Sequence, residues 1–177
     1  MKVTLITGAS GGIGKAFAQI LAAQNHNLFL VARSAEKLKI LCDDLNNRYN
    51  IKADYFPLDL TVFDADKQLF DETQKRKLEV AWLINNAGVG SAGYFSELDI
   101  ASELKLLSLN INALVAITHR YLVPMRERRS GTIINVSSTA SFQPIPFMAS
   151  YAASKAFVTS FSEALAEEYK PFNIKIM

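Results

Sequence analysis

The sequence has little of what metal sites, disulfide frameworks and nucleic-acid surfaces require. Its 177 residues include one cysteine, Cys42, and two histidines, His26 and His119, which are far apart in the chain. A disulfide framework and a thiolate metal cluster are therefore excluded, and we expect no metal site. The formal net charge of +2 is too small to favour nucleic acid or a membrane surface as a partner.

Long apolar runs are also missing. No window of about 18 residues is uninterruptedly apolar, and the first two residues lead straight into the strand-like segment 3–7, a pattern unlike that of a signal peptide. We therefore expect a cytoplasmic protein. The length, with 50% hydrophobic and 20% charged residues, is typical of one globular domain, here residues 1–177.

What the sequence does contain is a regular alternation of short apolar segments and helical patterns. Strands are predicted at 3–7, 27–32, 52–57, 80–85 and 132–136, and helices at 12–23, 35–49 (capped by Ser34), 64–75, about 104–125 and 150–170, before a last strand-like segment at 173–177. Such alternation predicts an α/β fold, a doubly wound, Rossmann-like parallel sheet with helices on both faces. Ligands of such sheets bind at the carboxyl ends of the strands.

The first strand is followed by the glycine-rich sequence T-G-A-S-G-G-I-G, residues 7–14. Gly8 permits a tight turn, and Gly12 and Gly14 let a helix N-terminus approach a pyrophosphate. The loop fits both T-G-x-x-x-G-x-G and T-G-x-x-G-x-x-G, so its spacing leaves the subtype open. A tight turn without a ligand is the alternative, but the position between a strand and a helix favours nucleotide binding. The residues predicted to contact the nucleotide here are Gly8, Ser10, Gly12, Ile13 and Gly14.

The end of the second strand indicates which dinucleotide is bound. An NAD site would carry Asp or Glu there for the ribose 2′-hydroxyl, whereas this chain has Val31-Ala32-Arg33. The planar guanidinium of Arg33 suits a 2′-phosphate, with Ser10 and Lys15 as candidates to assist. NADP is therefore favoured over NAD.

Two further strand ends carry polar residues at the same predicted edge. Asp59 can accept a hydrogen bond from an adenine amino group, or simply cap a turn. Asn86, Ala87 and Gly88 follow the fourth strand, where small residues let the backbone pass close to a ribose, although the two asparagines could also only stabilise a turn.

The stretch from Asn135 to Lys155 contains the predicted catalytic residues. Tyr151 and Lys155 are four residues apart, which places them on one face of a helix. An ammonium beside a phenol favours the phenolate, so Tyr151 is a plausible acid and base. Ser138, at the carboxyl end of the preceding strand, could add a hydroxyl at the same place. A pair with this spacing also arises by chance, so its interpretation depends on the other motifs.

Taken together, T-G-A-S-G-G-I-G, N-N-A-G, Asn110, Ser138 and Y-A-A-S-K resemble the short-chain dehydrogenase/reductase family, in its order and spacing and over essentially the whole chain. N-N-A-G and the serine-to-tyrosine spacing resemble the single-domain branch rather than the extended sugar-nucleotide epimerases. The sequences around A-R-S-A-E-K-L and S-T-A-S-F-Q-P further resemble those of ketoacyl-reductase-like and steroid-reductase-like members.

The resemblance implies roles for four residues. Tyr151 would donate the proton in reduction and accept it in oxidation, and Lys155 would tune Tyr151 and bind the nicotinamide ribose. Ser138 would hydrogen-bond the substrate oxygen, with Ser137 as the neighbouring alternative. Asn110, rather than the nearby Asn112, would order a water on a proton relay to the lysine.

The resemblance also implies a longer protein than these residues. Members of this branch continue through a full sixth strand, a segment that closes over the nicotinamide and a seventh strand, whereas this chain stops inside the sixth. We therefore expect that C-terminal strands are missing and that most of the substrate pocket lies beyond Met177.

Apolar loop residues indicate the class of substrate, and the resemblance indicates the assembly. Phe95, Phe142, Pro144, Ile145 and Phe147 are predicted to flank the substrate, which favours an apolar ketone, aldehyde or acyl chain, unless these residues only pack their loop. The resemblance implies a homodimer or homotetramer formed through the helices near 103–129 and 151–170. The main hypothesis is an NADP-dependent oxidoreductase acting on a small molecule; the alternative is an inactive nucleotide-binding regulatory or scaffold protein.

Overall fold

The sheet places the ends of its central strands beside each other. The computed structural model describes residues 1–177. Its six strands are β1 (Lys2–Thr7), β2 (Leu28–Ala32), β3 (Ala53–Pro57), β4 (Glu79–Asn85), β5 (Gly131–Asn135) and β6 (Ile174–Ile176). They form one sheet in the order β3-β2-β1-β4-β5-β6, and every neighbouring pair is parallel. The chain runs outward from β1 to β3 and then returns to place β4 on the other side of β1, which opens a crevice at this switch point.

Six α-helices connect the strands. They are α1 (Gly12–Ala23), α2 (Ala35–Arg48), α3 (Ala65–Lys75), α4 (Ile100–Leu107), α5 (Leu114–Glu127) and α6 (Ala149–Tyr169), with 3₁₀ turns at Phe95–Glu97, Thr139–Ser141 and Lys170–Phe172. A π-helical segment, Ser108–Ala113, joins α4 to α5, so that residues 100–127 form one continuous helix.

Alternate side chains of the central strands pack on opposite faces of the sheet. Ile6 lies in a core with residues of α1 and α2, such as Leu21 and Leu38. Leu5, its neighbour in β1, lies in a second core with residues of α3 and α5, such as Leu69 and Ile117. Helices therefore cover both faces, and the predicted doubly wound α/β fold is confirmed.

The ends of the helices follow from local hydrogen bonds. Ser34 caps α2 as predicted, because its Oγ accepts from the Lys37 N–H at 3.4 Å. The helix expected from about residue 104 begins earlier, at Ile100, since the Asp99 carboxylate accepts from the Ser102 N–H at 3.0 Å and from its hydroxyl at 2.8 Å. The π-helical segment has no counterpart in the predicted elements.

The continuous helix Ile100–Glu127 is long and apolar enough to cross a membrane by length and composition alone. A core helix satisfies the same test. In this fold Leu106, Ile117, Tyr121 and Met125 are buried, and α5 lies against β4 and β5. The expectation that a membrane is not a partner stays a prediction.

Candidate active site

Two adjoining cavities open at the carboxyl edge of the sheet, with volumes of about 750 and 570 Å³. They share the walls formed by Gly8, Gly11 and residues 87–90. The first extends to Arg33 and Asp59, and the second to Tyr151 and Lys155. Together they form one crevice that connects the two groups of residues predicted from the sequence.

The glycine-rich turn shapes the floor of the crevice. Gly8 and Gly12 have φ angles of +65° and +50°, in the left-handed region that favours glycine. A Cβ at Gly14 would lie 2.4 Å from the carbonyl oxygen of Gly8, so only glycine lets α1 approach the turn this closely. Gly11, the N-cap of α1, provides no side-chain cap, which leaves N–H groups of the first turn free to bind an anion. This cradle fits the pyrophosphate of a dinucleotide.

Hydrogen bonds tie the ends of β1 and β4 together across the crevice. Asn86 Nδ2 donates to the carbonyl oxygens of Thr7 and Gly8, at 2.9 and 3.2 Å. Thr7 Oγ1 accepts from the N–H groups of Asn86 and Ala87, both at 3.0 Å. The Asn86 side chain therefore holds the crevice in shape, while Ala87 and Gly88 line its wall.

Basic and hydroxyl side chains gather where the first cavity meets α2. Arg33 and Ser10 line it as predicted, together with Ser34 and Lys37, which the sequence reasoning missed. The spacing of Lys37, four residues after Arg33 at the start of a helix, could have indicated it. Neither Arg33 nor Lys37 takes part in an ion pair, and Lys15 does not line the cavity.

Asp59 also lines the first cavity, but part of its carboxylate is already engaged. Its Oδ1 accepts from the Thr61 N–H at 2.9 Å and from the Thr61 hydroxyl at 2.7 Å, and these bonds hold the pKa of Asp59 below its usual value. Its Oδ2 lies 3.9 Å from Lys105 Nζ. Asp59 thus organises its own turn, as well as facing the cavity.

Tyr151 and Lys155 lie on one face of α6 at the far end of the second cavity. Lys155 Nζ donates to the carbonyl oxygen of Val136 at 2.8 Å and lies 6.0 Å from the centre of the Tyr151 ring. The lysine is only 6% exposed, and this burial lowers its pKa. An amine and a phenol therefore share one partly desolvated pocket.

The two neighbouring serines differ in what their hydroxyls do. Ser137 Oγ donates to the Lys155 carbonyl at 3.0 Å and lies 2.7 Å from Thr159 Oγ1, so it is bound to α6. Ser138 Oγ only accepts, from the Ala140 N–H at 3.1 Å, so its proton is free to be donated. Ser137 lines the second cavity and Ser138 follows it immediately, outside the lining.

Asn110 lies in the π-helical segment and is 1% exposed. Its Oδ1 accepts from the Val89 N–H and its Nδ2 donates to the Val89 carbonyl, both at 3.0 Å. A Cβ at Gly88 would lie 3.1 Å from Asn110 Oδ1 and 3.5 Å from Lys155 Nζ, so these residues meet around Gly88. Asn112 is exposed and lines a different small cavity. π-bulges are frequent at functional sites.

None of the three predicted substrate phenylalanines lines the crevice, although the segments of Phe95 and Phe147 meet, since the Gly93 N–H donates to the Phe147 carbonyl at 2.8 Å. Phe95 lies in an exposed 3₁₀ turn, Phe147 packs edge-on against Tyr94 with ring centres 5.0 Å apart, and neither lines the crevice. Phe142 lines a separate apolar groove of about 590 Å³, with Pro144 and Ile145. Side chains on loops cannot be placed from sequence spacing, because no helical or strand period relates them.

Comparison with known proteins identifies the family. Residues 2–177 match the short chain dehydrogenase family, so the chain belongs to that family. It is 38% identical over 177 residues to a very-long-chain 3-oxoacyl-CoA reductase-like protein of Arabidopsis thaliana, covering 97% of this chain and 56% of that protein. It is 34% identical over 170 residues to the very-long-chain 3-oxoacyl-CoA reductase of Rattus norvegicus, covering 94% of this chain and 54% of that protein. It is also 34% identical over 170 residues to the inactive hydroxysteroid dehydrogenase-like protein 1 of Homo sapiens, covering 93% of this chain and 50% of that protein. The chain thus spans about half the length of these relatives.

Solved structures share the fold. The bulky-bulky ketone specific alcohol dehydrogenase of Comamonas testosteroni aligns over 100% of this chain and 70% of its own, with a TM-score of 0.94 and 31% identity. A short-chain dehydrogenase of Sphingobium yanoikuyae, solved in complex with NADPH, aligns over 100% of this chain and 69% of its own, with a TM-score of 0.94 and 30% identity.

The close contact at Gly14 gives a first prediction. We expect Gly14→Ala to lower the free energy of unfolding by about 1–3 kcal/mol, because a methyl group in this packed position overpacks the contact between α1 and the turn. Gly11→Ala is the matched control, since Gly11 has an extended φ of −174° and no atom within 4 Å of the added Cβ. Urea unfolding measures both variants, and equal stabilities would contradict the role of Gly14.

The buried amine gives a second prediction, on pH. The pKa of Lys155 is lower in the folded chain than its ordinary 10.5, so the unfolded chain binds the proton more tightly. The contribution of Lys155 to the free energy of unfolding should therefore rise as the pH rises from the folded-state pKa to about 10.5. Subtracting the pH profile of Lys155→Met from that of the wild type should give this rise. A flat difference profile for Lys155 would disprove the burial effect.

Proposed function

We propose that this chain is the nucleotide-binding and catalytic part of an NADP-dependent oxidoreductase that acts on a carbonyl or secondary alcohol. The main support for the proposal is one continuous crevice. Arg33 and Lys37, which have no ion-pair partner, lie at one end, and Tyr151 lies beside Lys155 at the other. NADPH, when bound, supplies the hydride, and the chain's own residues supply binding and the proton.

The catalytic roles follow from the hydrogen-bond partners. Tyr151 is the proton donor in reduction and the base in oxidation. Lys155, held by the Val136 carbonyl, keeps its ammonium beside Tyr151 and has further N–H groups for a ribose hydroxyl. Ser138 has the free hydroxyl proton that a substrate oxygen requires. Asn110, in the π-helical segment, holds the Val89 segment beside Lys155, and we assign it the ordered water of a proton relay to this lysine.

Preference for NADP over NAD is supported by the charges at the α2 end of the crevice. Arg33 and Lys37 are exposed, line the first cavity and have no carboxylate partner. The N-terminus of α2, capped by Ser34, lies between them. Two cations beside a helix N-terminus suit a doubly charged 2′-phosphate. The NADPH complex of the Sphingobium relative agrees with this preference.

The proposed substrate is an apolar ketone, aldehyde or acyl compound. The groove lined by Phe142, Pro144 and Ile145 also includes Ala140 and Ala152, which are close in sequence to Ser138 and Tyr151. The names of three relatives favour the same class of apolar carbonyl substrate. The Arabidopsis and rat proteins are named for 3-oxoacyl-CoA reductases, and the Comamonas enzyme is named for bulky ketones.

A second candidate is a catalytically inactive nucleotide-binding regulatory or scaffold protein. One observation favours it: the human relative at 34% identity is named inactive. Against it, this chain retains Ser138, Tyr151 and Lys155 together. For either function we propose a cytoplasmic homodimer or homotetramer, supported by exposed apolar side chains on the two long helices, namely Ile100, Leu104, Val123 and Phe157.

Removal of the Tyr151 hydroxyl tests the activity. We expect Tyr151→Phe to lower kcat by about 10²–10⁴-fold, because it removes general acid–base catalysis, while the Kd for NADPH stays nearly unchanged. Oxidation of NADPH with a panel of apolar ketones and aldehydes, together with fluorescence titration, measures both quantities. Tyr55→Phe, in β3, is the control. Substantial turnover by Tyr151→Phe would contradict the role assigned to Tyr151. A wild-type chain that binds NADPH without turning over any carbonyl would favour the inactive candidate.

A charge reversal tests the cofactor preference. Arg33→Asp should erase or reverse the preference for NADPH over NADH, since a charge-assisted hydrogen bond contributes about 1.5–3 kcal/mol, or about 10- to 150-fold in Kd. Fluorescence titration of both dinucleotides gives the ratio for the wild type, for Arg33→Asp and for Lys52→Asp as an exposed control. An unchanged ratio in Arg33→Asp would place the phosphate site elsewhere.

A further inference from the structure

A buried serine of α6 connects the catalytic helix to the π-helical segment. Ser154 is 0% exposed, and its hydroxyl has two partners. It donates to the carbonyl oxygen of Tyr151 at 2.7 Å and accepts from Asn110 Nδ2 at 3.0 Å. Neither cavity of the crevice is lined by Ser154, so it would not touch a cofactor or a substrate.

These bonds belong to a closed circuit of contacts. Asn110 binds both backbone groups of Val89, and Gly90 follows Val89 in the crevice wall. A Cβ at Gly90 would lie 3.5 Å from the Tyr151 ring, so this ring packs over the Gly90 backbone. The circuit therefore runs from Val89 through Asn110 and Ser154 to Tyr151 and returns through Gly90.

We propose that Ser154 is a positioning residue, which sets Tyr151 relative to the Val89–Gly90 wall of the crevice by fixing the amide of Asn110. The amide has two N–H groups, of which one is bound by Val89 and the other by Ser154. Since the Ser154 proton is used by the Tyr151 carbonyl, the hydroxyl oxygen can only accept from Asn110. The orientation of the Asn110 amide, and with it the position of Val89, is thereby fixed.

Loss of the hydroxyl would leave a buried N–H of Asn110 without an acceptor. The amide can then regain a partner only by turning, which weakens its two bonds to Val89. Movement of the Val89–Gly90 wall would displace Tyr151 from the reacting atoms, and displacements of about 1 Å cost on the order of 100-fold in rate.

Ser162 provides a matched control on the same helix. It is 7% exposed, accepts from Asn135 Nδ2 at 2.9 Å and donates to the Val158 carbonyl at 2.7 Å. Its hydrogen bonds and burial therefore match those of Ser154, but its hydrogen-bond partners do not line the crevice. A purely structural serine should behave as Ser162 does.

The experiment compares Ser154→Ala with Ser162→Ala in the full 177-residue chain. Urea unfolding should show a similar loss of stability in both variants. Amide hydrogen exchange, read by mass spectrometry on the peptide that contains Val89, should become at least about fivefold faster in Ser154→Ala only, because the Val89 N–H loses protection. Exchange unchanged from the wild type, or equally faster in Ser162→Ala, would overturn the proposal.

Kinetics give a second readout, which rests on the proposed function. Ser154→Ala should lower kcat by about 10- to 100-fold and change the Kd for NADPH by less than about twofold, whereas Ser162→Ala should keep both values. An equal loss of kcat in the two variants would show a merely structural role. A wild-type chain without turnover would refute the proposed function alone, since the exchange of Val89 still decides the role of Ser154.

Discussion

The hydrogen bonds between Thr7 and Asn86 hold the candidate site together. They join the carboxyl ends of β1 and β4, the two strands between which the order of the sheet reverses. At this point connecting loops leave in opposite directions, and a crevice forms between them. The side chain of Asn86 also reaches the carbonyl of Gly8, so the same residue holds the glycine-rich turn against the neighbouring strand. Gly8 and Ala87, which lie next to each other at this junction, line both cavities.

The basic side chains at the two ends of the crevice differ in their exposure to solvent. At the α2 end, Arg33 and Lys37 are exposed and without a carboxylate partner, so their charges can pair with an anion. At the α6 end, Lys155 is buried, and burial favours its neutral form. The Val136 carbonyl and the nearby Tyr151 ring partly offset this cost. A buried amine beside a phenol is an arrangement suited to proton transfer.

The family comparison and the cavities lead to the same class of chemistry, but they concern different lengths of chain. The relatives extend well beyond the portion that aligns with this chain, and the crevice described here connects the glycine-rich turn to Tyr151 and Lys155. The apolar groove near Phe142 lies between residues 140–146 and α6, and it shares no lining residue with the crevice. Loops such as 140–146 vary most in sequence and carry specificity in many enzymes.

Features that depend on local periodicity could be predicted from the residues alone. Strand alternation, the glycine-rich turn, the Ser34 cap and the four-residue spacing of Tyr151 and Lys155 all follow from neighbouring residues, and the structure contains each of them. The pairing of Asn110 with Val89 and Ser154 could not be predicted, because these bonds join segments far apart in the chain and pass through a π-helical segment without a sequence signal. The positions of Phe95, Phe142 and Phe147 outside the crevice lining likewise depend on how their loops pack rather than on any repeat.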